Sequence, residues 1–270
     1  MTTVAELYGD YWAEEESELE AALRTSLHPR GPDLLYELFA GFGIGPEDSV
    51  LDIGCRDAPY AVELARRFGC RVVAVDPAPL HVERARQRVA EADLTDRITV
   101  HPAGIEALPL ADGSIAAIWC RDVLNHVALA PGLAECHRVL APGGQILIYQ
   151  TFATDALEPR EAARLYAAIA IVPENMSPEF LEATARRAGF QIVQRDIIDS
   201  EWRERWQEEG ERDLGADLLH LARLRRREVE LVRRFGRARY EAVYGGLLWG
   251  IYQMLGKLCS TVYVLRKPRA

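Results

Sequence analysis

The chain reads as an α/β fold: a doubly wound, mostly parallel sheet of seven strands, with a helical insertion before the last strand. Three observations predict it. Short apolar runs alternate with amphipathic helical stretches from residue 48 onward. Val50-Leu51-Asp52-Ile53-Gly54 sets a glycine turn directly after the first run. Arg71-Val72-Val73-Ala74-Val75-Asp76 forms a second run that ends in a carboxylate.

The elements follow in order. Residues 1–47 are acidic and mostly helical in pattern, an N-terminal cap that ends in the breaker cluster Gly41-Phe42-Gly43-Ile44-Gly45-Pro46. Strands are predicted at 49–53, 71–76, 97–101, 115–120, 144–150, 190–197 and 260–266. Tyr60, Ala61, Leu64, Ala65 and Phe68 recur at helical spacing and Gly69 supplies the stop. Ser177 and Pro178 open a helix over 177–188 that Gly189 closes. The α/β core is thus 48–198, and a helical insertion over 199–259 is far longer than two neighbouring strands need. Within it Leu214, Leu218, Leu221, Leu224, Leu231 and Phe235 share one face, and such a segment is expected to act as a lid. The last strand and a short tail fill 260–270.

Composition narrows the function classes. A net charge of −9 argues against a nucleic-acid binder, which carries a basic excess. The 5 cysteines are odd in number and scattered, which predicts free thiols in a reducing, cytoplasmic compartment. Glu6, Asp10 and Glu14 to Glu16 are the opposite of a secretory leader. The apolar stretch from Tyr244 to Cys259 is too short to span a membrane. Nothing in the pattern decides between a monomer and a homodimer.

The glycine turn and Asp76 define a nucleoside-binding crevice. Backbone N–H groups and a helix N-terminus sit at one strand tip, and a carboxylate able to accept both ribose hydroxyls sits at the next. The turn lacks G-x-G-x-x-G, which disfavours a nicotinamide dinucleotide.

Further segments in register carry a resemblance. They are Leu108-Pro109-Leu110-Ala111-Asp112-Gly113-Ser114, Trp119-Cys120-Arg121-Asp122-Val123-Leu124-Asn125-His126-Val127, and Glu135-Cys136-His137-Arg138-Val139-Leu140-Ala141-Pro142-Gly143-Gly144. Together with the first two strands they make the chain resemble the class I S-adenosylmethionine-dependent methyltransferases, with their Rossmann-like fold. The likeness is to the small-molecule branch of ubiquinone/menaquinone and glycine/sarcosine types. It implies S-adenosyl-L-methionine as cofactor and a small-molecule acceptor.

The resemblance also implies roles. Asp52 orients the turn or reaches the cofactor's ammonium. Gly54 and Cys55 present backbone, Asp76 takes the ribose, and Pro77 and His81 lie beside it. Ile105 and Glu106 stand where the family places adenine. Cys120 and Arg121 lie beneath the sulfonium, facing the acceptor. Pro142-Gly143-Gly144 is a structural turn. Two departures stand out: Arg56 and Ala58 replace glycines of the turn, and Gly104 replaces the acid that contacts the adenine amino group. Arg56 is expected either to meet the cofactor carboxylate or to pair with Asp57.

Other readings stay open. His126 is the candidate general base, against a histidine tied to a backbone carbonyl. Tyr11, with Tyr8 and Trp12, either covers the cofactor's methionine end or packs a helix. Trp202, Trp206, Tyr240, Tyr244, Trp249 and Tyr252 shape an acceptor pocket or pack the insertion's own core. The altered turn also leaves room for a fold repurposed for cyclisation or rearrangement, or for a non-catalytic partner subunit.

Overall fold

The computed structural model describes residues 3–5 and 18–269. The aromatic cluster of Tyr8, Tyr11 and Trp12 lies outside the described residues. The strands are β1 (Ser49–Ile53), β2 (Arg71–Asp76), β3 (Ile98–Pro102), β4 (Ile115–Arg121), β5 (Leu140–Ala153), β6 (Gln191–Asp199) and β7 (Leu258–Arg266). They form one sheet in the order β3-β2-β1-β4-β5-β7-β6. β1 to β5 pair in parallel, and β7 runs antiparallel to both β5 and β6. The strand order reverses between β1 and β4, where open α/β sheets leave a crevice at the carboxyl ends of the strands.

The helices before the insertion are α1 (Glu18–Leu23), α2 (Asp33–Ala40), α3 (Pro59–Phe68), α4 (Pro79–Glu91), α5 (Leu129–Val139), α6 (Pro159–Ala168) and α7 (Pro178–Arg187). Alternation along β1 divides the core. Val50 faces one layer with Leu35 and Phe39 of α2 and Leu64 of α3. Leu51 and Ile53 face the other with Leu133 of α5 and Leu181 of α7. Both faces of the sheet are therefore buried, as the continuous apolar runs require.

The fifth strand starts earlier than expected, because Leu140 pairs with Ile115 before the chain bulges through Ala141–Gly144 and rejoins the ladder at Gln145. Gly144 is required there: an added Cβ would sit 2.9 Å from the carbonyl oxygens of Ala116 and Ala141. Lys267 Nζ donates to the carbonyls of His137 and Leu140, 2.7 Å each, and satisfies the end of α5. Arg138 bonds the Leu108 and Leu110 carbonyls, Asp112 and Glu135, so it clamps the 108–114 segment onto α5. Ser177 caps α7, accepting the Phe180 N–H at 3.1 Å as its spacing predicts.

The insertion comprises α8 (Glu201–Glu208), α9 (Leu214–Arg226), α10 (Glu228–Phe235) and α11 (Arg237–Met254). Its single apolar face is not observed as such. The helix breaks at Arg227, so Leu214, Leu221, Leu224 and Leu231 turn inward while Leu218 and Phe235 stay about half exposed. Tyr240, Tyr244 and Tyr252 are buried with Leu165 of α6 in a separate core. They pack the insertion's own core, and Tyr240 also borders a cavity of about 250 Å³ with Leu224, Leu231 and Phe235.

Arg30 ties the segment before α2 to this region. Its guanidinium meets Asp196 at 2.9 Å and Glu201 at 2.6 Å, and its backbone N–H donates to Glu201 as well.

Gly144→Ala should lower stability by about 1–3 kcal/mol, the usual cost of forcing atoms into packed structure. Gly246, inside α11 with nothing within 4 Å of an added Cβ, is the control. Its replacement by alanine should leave the protein as stable or up to about 1 kcal/mol more so. Urea unfolding of the two variants measures both; equal effects would contradict the packing described.

Candidate functional site

A cavity of about 600 Å³ opens at the tips of β1, β2 and β4, within the size range of small-molecule and cofactor sites. Asp76 organises it. Ending β2 and only 4% exposed, it accepts the Arg56 N–H on Oδ2 and the Ala78 N–H on Oδ1, 2.9 Å each. His81 Nδ1 stands 3.3 Å from Oδ1. The carboxylate therefore joins the turn after β1 to the start of α4, and Oδ2, with one partner, keeps lone-pair capacity.

The turn itself is strained in a way its sequence hides. Arg56 and Ala58 hold φ of +50° and +58°, in the left-handed region where the resemblance leads one to expect glycine. Gly54, at φ +67°, is needed for a different reason than approach of a ligand. An added Cβ would lie 2.4 Å from Val123 Cγ2, so the glycine makes room for the loop after β4. Asp57 pairs with Arg88 at 2.8 Å, not with Arg56. Among the described residues the Arg56 guanidinium has no ion-pair partner. It lines the cleft without filling it.

Asp52 is turned away from the cavity and is buried at the end of β1. Burial pushes its carboxyl up to about 8, against the pull of the Ala61 N–H in the first turn of α3, and Asp76 adds to the rise. Among the described residues its Oδ2 has no hydrogen-bond partner. An orphaned buried oxygen beside a glycine turn, together with Asp76's free lone pairs, fits the ammonium and ribose of an aminoacyl nucleoside.

Other expected contacts are placed elsewhere. Cys55 and Cys120 are buried, and burial holds both thiols well above their usual range. Cys120 packs in the core under the sheet rather than facing an acceptor, because alternation along β4 sends Arg121 to the cleft instead. Ile105 packs against Gly132 of α5, where an added Cβ would lie 3.1 Å from its Cγ2, so only its main chain remains for adenine. Glu106 accepts the Ala128 N–H at 3.2 Å, at the start of α5. Pro77, His81, Arg121 and His126 do line the cavity, as expected.

His126 closes a short turn, Leu124–His126, which the sequence pattern does not specify. Asn175 Nδ2 donates to the Leu124 and Val127 carbonyls at 2.6 and 2.8 Å, and Asn125 Nδ2 to the Thr151 carbonyl at 2.9 Å. The ring's Nδ1 lies 3.0 Å from the Ala170 carbonyl oxygen. A neutral imidazole so placed donates from Nδ1, which leaves the Nε2 lone pair free for a proton. The two readings of this histidine are therefore compatible: the carbonyl fixes the tautomer that a base needs.

Arg121 is held by aromatic residues that the sequence pattern does not connect to it. Its guanidinium donates to the Tyr60 hydroxyl and lies over the rings of Tyr60, Trp202 and Tyr149, at 4.8, 5.2 and 5.4 Å from their centroids. The one available signal was Tyr60's position in the first turn after the strand tip. Among the described residues, none from the insertion lines the cavity. α8 reaches it only through Trp202, beneath Arg121.

The raised Asp52 pKa makes the folded chain hold a proton that the unfolded chain releases above its ordinary pKa near 4. Its contribution is complete at low pH and is lost as pH rises toward about 8. Between pH 6 and 8 the cofactor-free protein should lose stability with a slope of up to about 1.4 kcal/mol per unit that Asp52→Asn lacks. Thermal unfolding of both proteins across that range checks it, and parallel curves would refute the buried proton.

Comparison with known proteins agrees with this geometry. Residues 50–144 match a family model described as a methyltransferase domain. The chain is 28% identical to 27-O-demethylrifamycin SV methyltransferase of Amycolatopsis mediterranei, over 76% of this chain and 74% of that one. It is 34% identical to dimethylglycine N-methyltransferase of Parasynechococcus marenigrum, over 40% of this chain and 39% of that one. The fold superposes on a putative sarcosine dimethylglycine methyltransferase from Galdieria sulphuraria with a TM-score of 0.68 at 21% identity, covering 88% and 84% of the two chains. The sheet order, the Asp76 crevice and these matches agree with a class I S-adenosylmethionine-dependent methyltransferase, and residues 50–144 match the methyltransferase domain itself.

Proposed function

We propose that this chain transfers the methyl group of S-adenosylmethionine to a small-molecule acceptor, using the cavity at the tips of β1, β2 and β4. The observation that carries the reading is Asp76: a nearly buried carboxylate that lines the cavity, fastened by two backbone N–H groups with lone pairs to spare. When bound, S-adenosylmethionine supplies an electrophilic methyl group.

The protein's own part is alignment and proton removal. Asp76 holds the ribose hydroxyls through charge-assisted hydrogen bonds. The Arg56 guanidinium offers a positive charge to the carboxylate of an amino-acid moiety, while the buried Asp52 carboxyl, protonated toward neutral pH, stands behind the turn. Pro77, Val123 and Val127 give the cavity apolar walls that exclude water. His126 Nε2 accepts the acceptor's proton, with the Ala170 carbonyl steadying the imidazolium that results. The insertion over 199–259 acts as a buttress under the acceptor side, through Trp202. The setting is cytoplasmic: all 5 cysteines are free thiols, and among the described residues no helix is long and apolar enough to cross a membrane.

Asp76→Ala should weaken binding of S-adenosylhomocysteine by about 1.5–3 kcal/mol, the scale of hydrogen bonds to a charged group. Calorimetry measures it, and an unchanged affinity would remove the ribose assignment. His126→Gln should lower kcat by at least about 100-fold, the range for a lost general base, with cofactor affinity kept. Methyl transfer to a panel of phenols, amines and quinone-like compounds provides the assay. Turnover of any of these without S-adenosylhomocysteine as product would instead favour a repurposed fold.

A further inference from the structure

The acceptor side of the cleft holds a cation of its own. Arg121 is seated among Tyr60, Tyr149 and Trp202, the arrangement that recognises cationic ligands when it is vacant. Here the guanidinium fills it. The rings stabilise the charge through their faces, and the Tyr60 hydroxyl accepts one N–H. Among the described residues no carboxylate lies within ion-pairing distance of Arg121.

The neighbourhood has more positive than negative charge. Arg203 on α8 lies in the same region, its Nε donating to Gln253 and its guanidinium 5.0 Å from the Trp206 centroid. Among the described residues Arg203 has no ion pair either. Asp122 is the carboxylate that feels both arginines, and it is turned to the Thr151 hydroxyl at 3.2 Å. Burial raises its pKa, against the pull of both arginines and the Thr151 hydroxyl. Arg121 and Asp122 thus line the cavity side by side, with Arg203 behind them, in a protein of net charge −9. Most other arginines near the sheet are paired, as with Arg30, Arg88 and Arg138. A guanidinium left with open donors toward a cavity is a docking point for an oxyanion.

We infer that the acceptor is an organic anion, a carboxylate or phosphate, which docks on Arg121 while His126 addresses the methylated atom, and that the filled aromatic seat rejects cationic amines. This inference rests on the methyl-transfer reading of the same cavity and names its substrate class.

The test is calorimetric titration of the full chain, with and without saturating S-adenosylhomocysteine. The probes are benzoate, phenyl phosphate and phenyltrimethylammonium. The wild type should bind at least one anion at least 10-fold more tightly than the ammonium compound; benzoate against phenyl phosphate tells carboxylate from phosphate. Arg121→Gln should weaken that anion at least 10-fold and leave S-adenosylhomocysteine affinity within about two-fold. Arg121→Lys should recover part of the loss, which a merely structural role would not produce. Equal anion affinity in wild type and Arg121→Gln would overturn the inference, as would wild-type protein that binds no anion or prefers the cation. Failure of S-adenosylhomocysteine to bind would instead defeat the methyl-transfer reading, and the titrations without it still decide the role of Arg121.

Discussion

Everything at the cleft depends on one buried carboxylate that serves two strand tips. Asp76 ends β2, yet it accepts from the backbone of Arg56 after β1 and of Ala78 before α4. A carboxylate has room for about four donors, so two backbone bonds secure its position without exhausting it. With the Ala58 N–H donating to the Cys55 carbonyl at 2.7 Å, this link helps hold Arg56 and Ala58 in left-handed backbone, a conformation costly to residues other than glycine. The same group that shapes the crevice is thereby the one best placed to bind in it.

Charge is distributed with the same economy. Asp52 is deprived of water and keeps its proton toward neutral pH, while Asp76 beside it is hydrogen-bonded and lines the cleft. On the acceptor side Arg121 and Asp122 both line the cavity. Arg121 is supported by ring faces and a phenol instead of a carboxylate.

Much of the fold was legible in the sequence. The apolar runs at β1, β2 and β4 are continuous because those strands are covered on both faces, and such runs cannot be mistaken for surface strands. The helix caps at Ser177 and the stop at Gly69 are local chemistry and came out as read. The bulge at Ala141–Gly144 and the break at Arg227 were not legible, since each is decided by contacts far along the chain. At the site, Asp76, Pro77, His81, Arg121 and His126 line the cavity as their strand-tip positions imply. Cys120 and Ile105 turned the other way, because a one-residue step along a strand or loop reverses the face. Tyr60 reads as a packing residue, and Trp202 stays open between an acceptor pocket and the insertion's core. Their partner, Arg121, is 61 and 81 residues away in sequence, and no spacing rule connects them.

Hydrogen–deuterium exchange of the full chain, with and without S-adenosylhomocysteine, tests the central claim most directly. Amides from Gly54 to Pro59 and from Asp76 to His81 should become protected together on addition of the nucleoside, with the 199–259 insertion changing far less. Protection confined to the insertion, or none at either strand tip, would contradict the account.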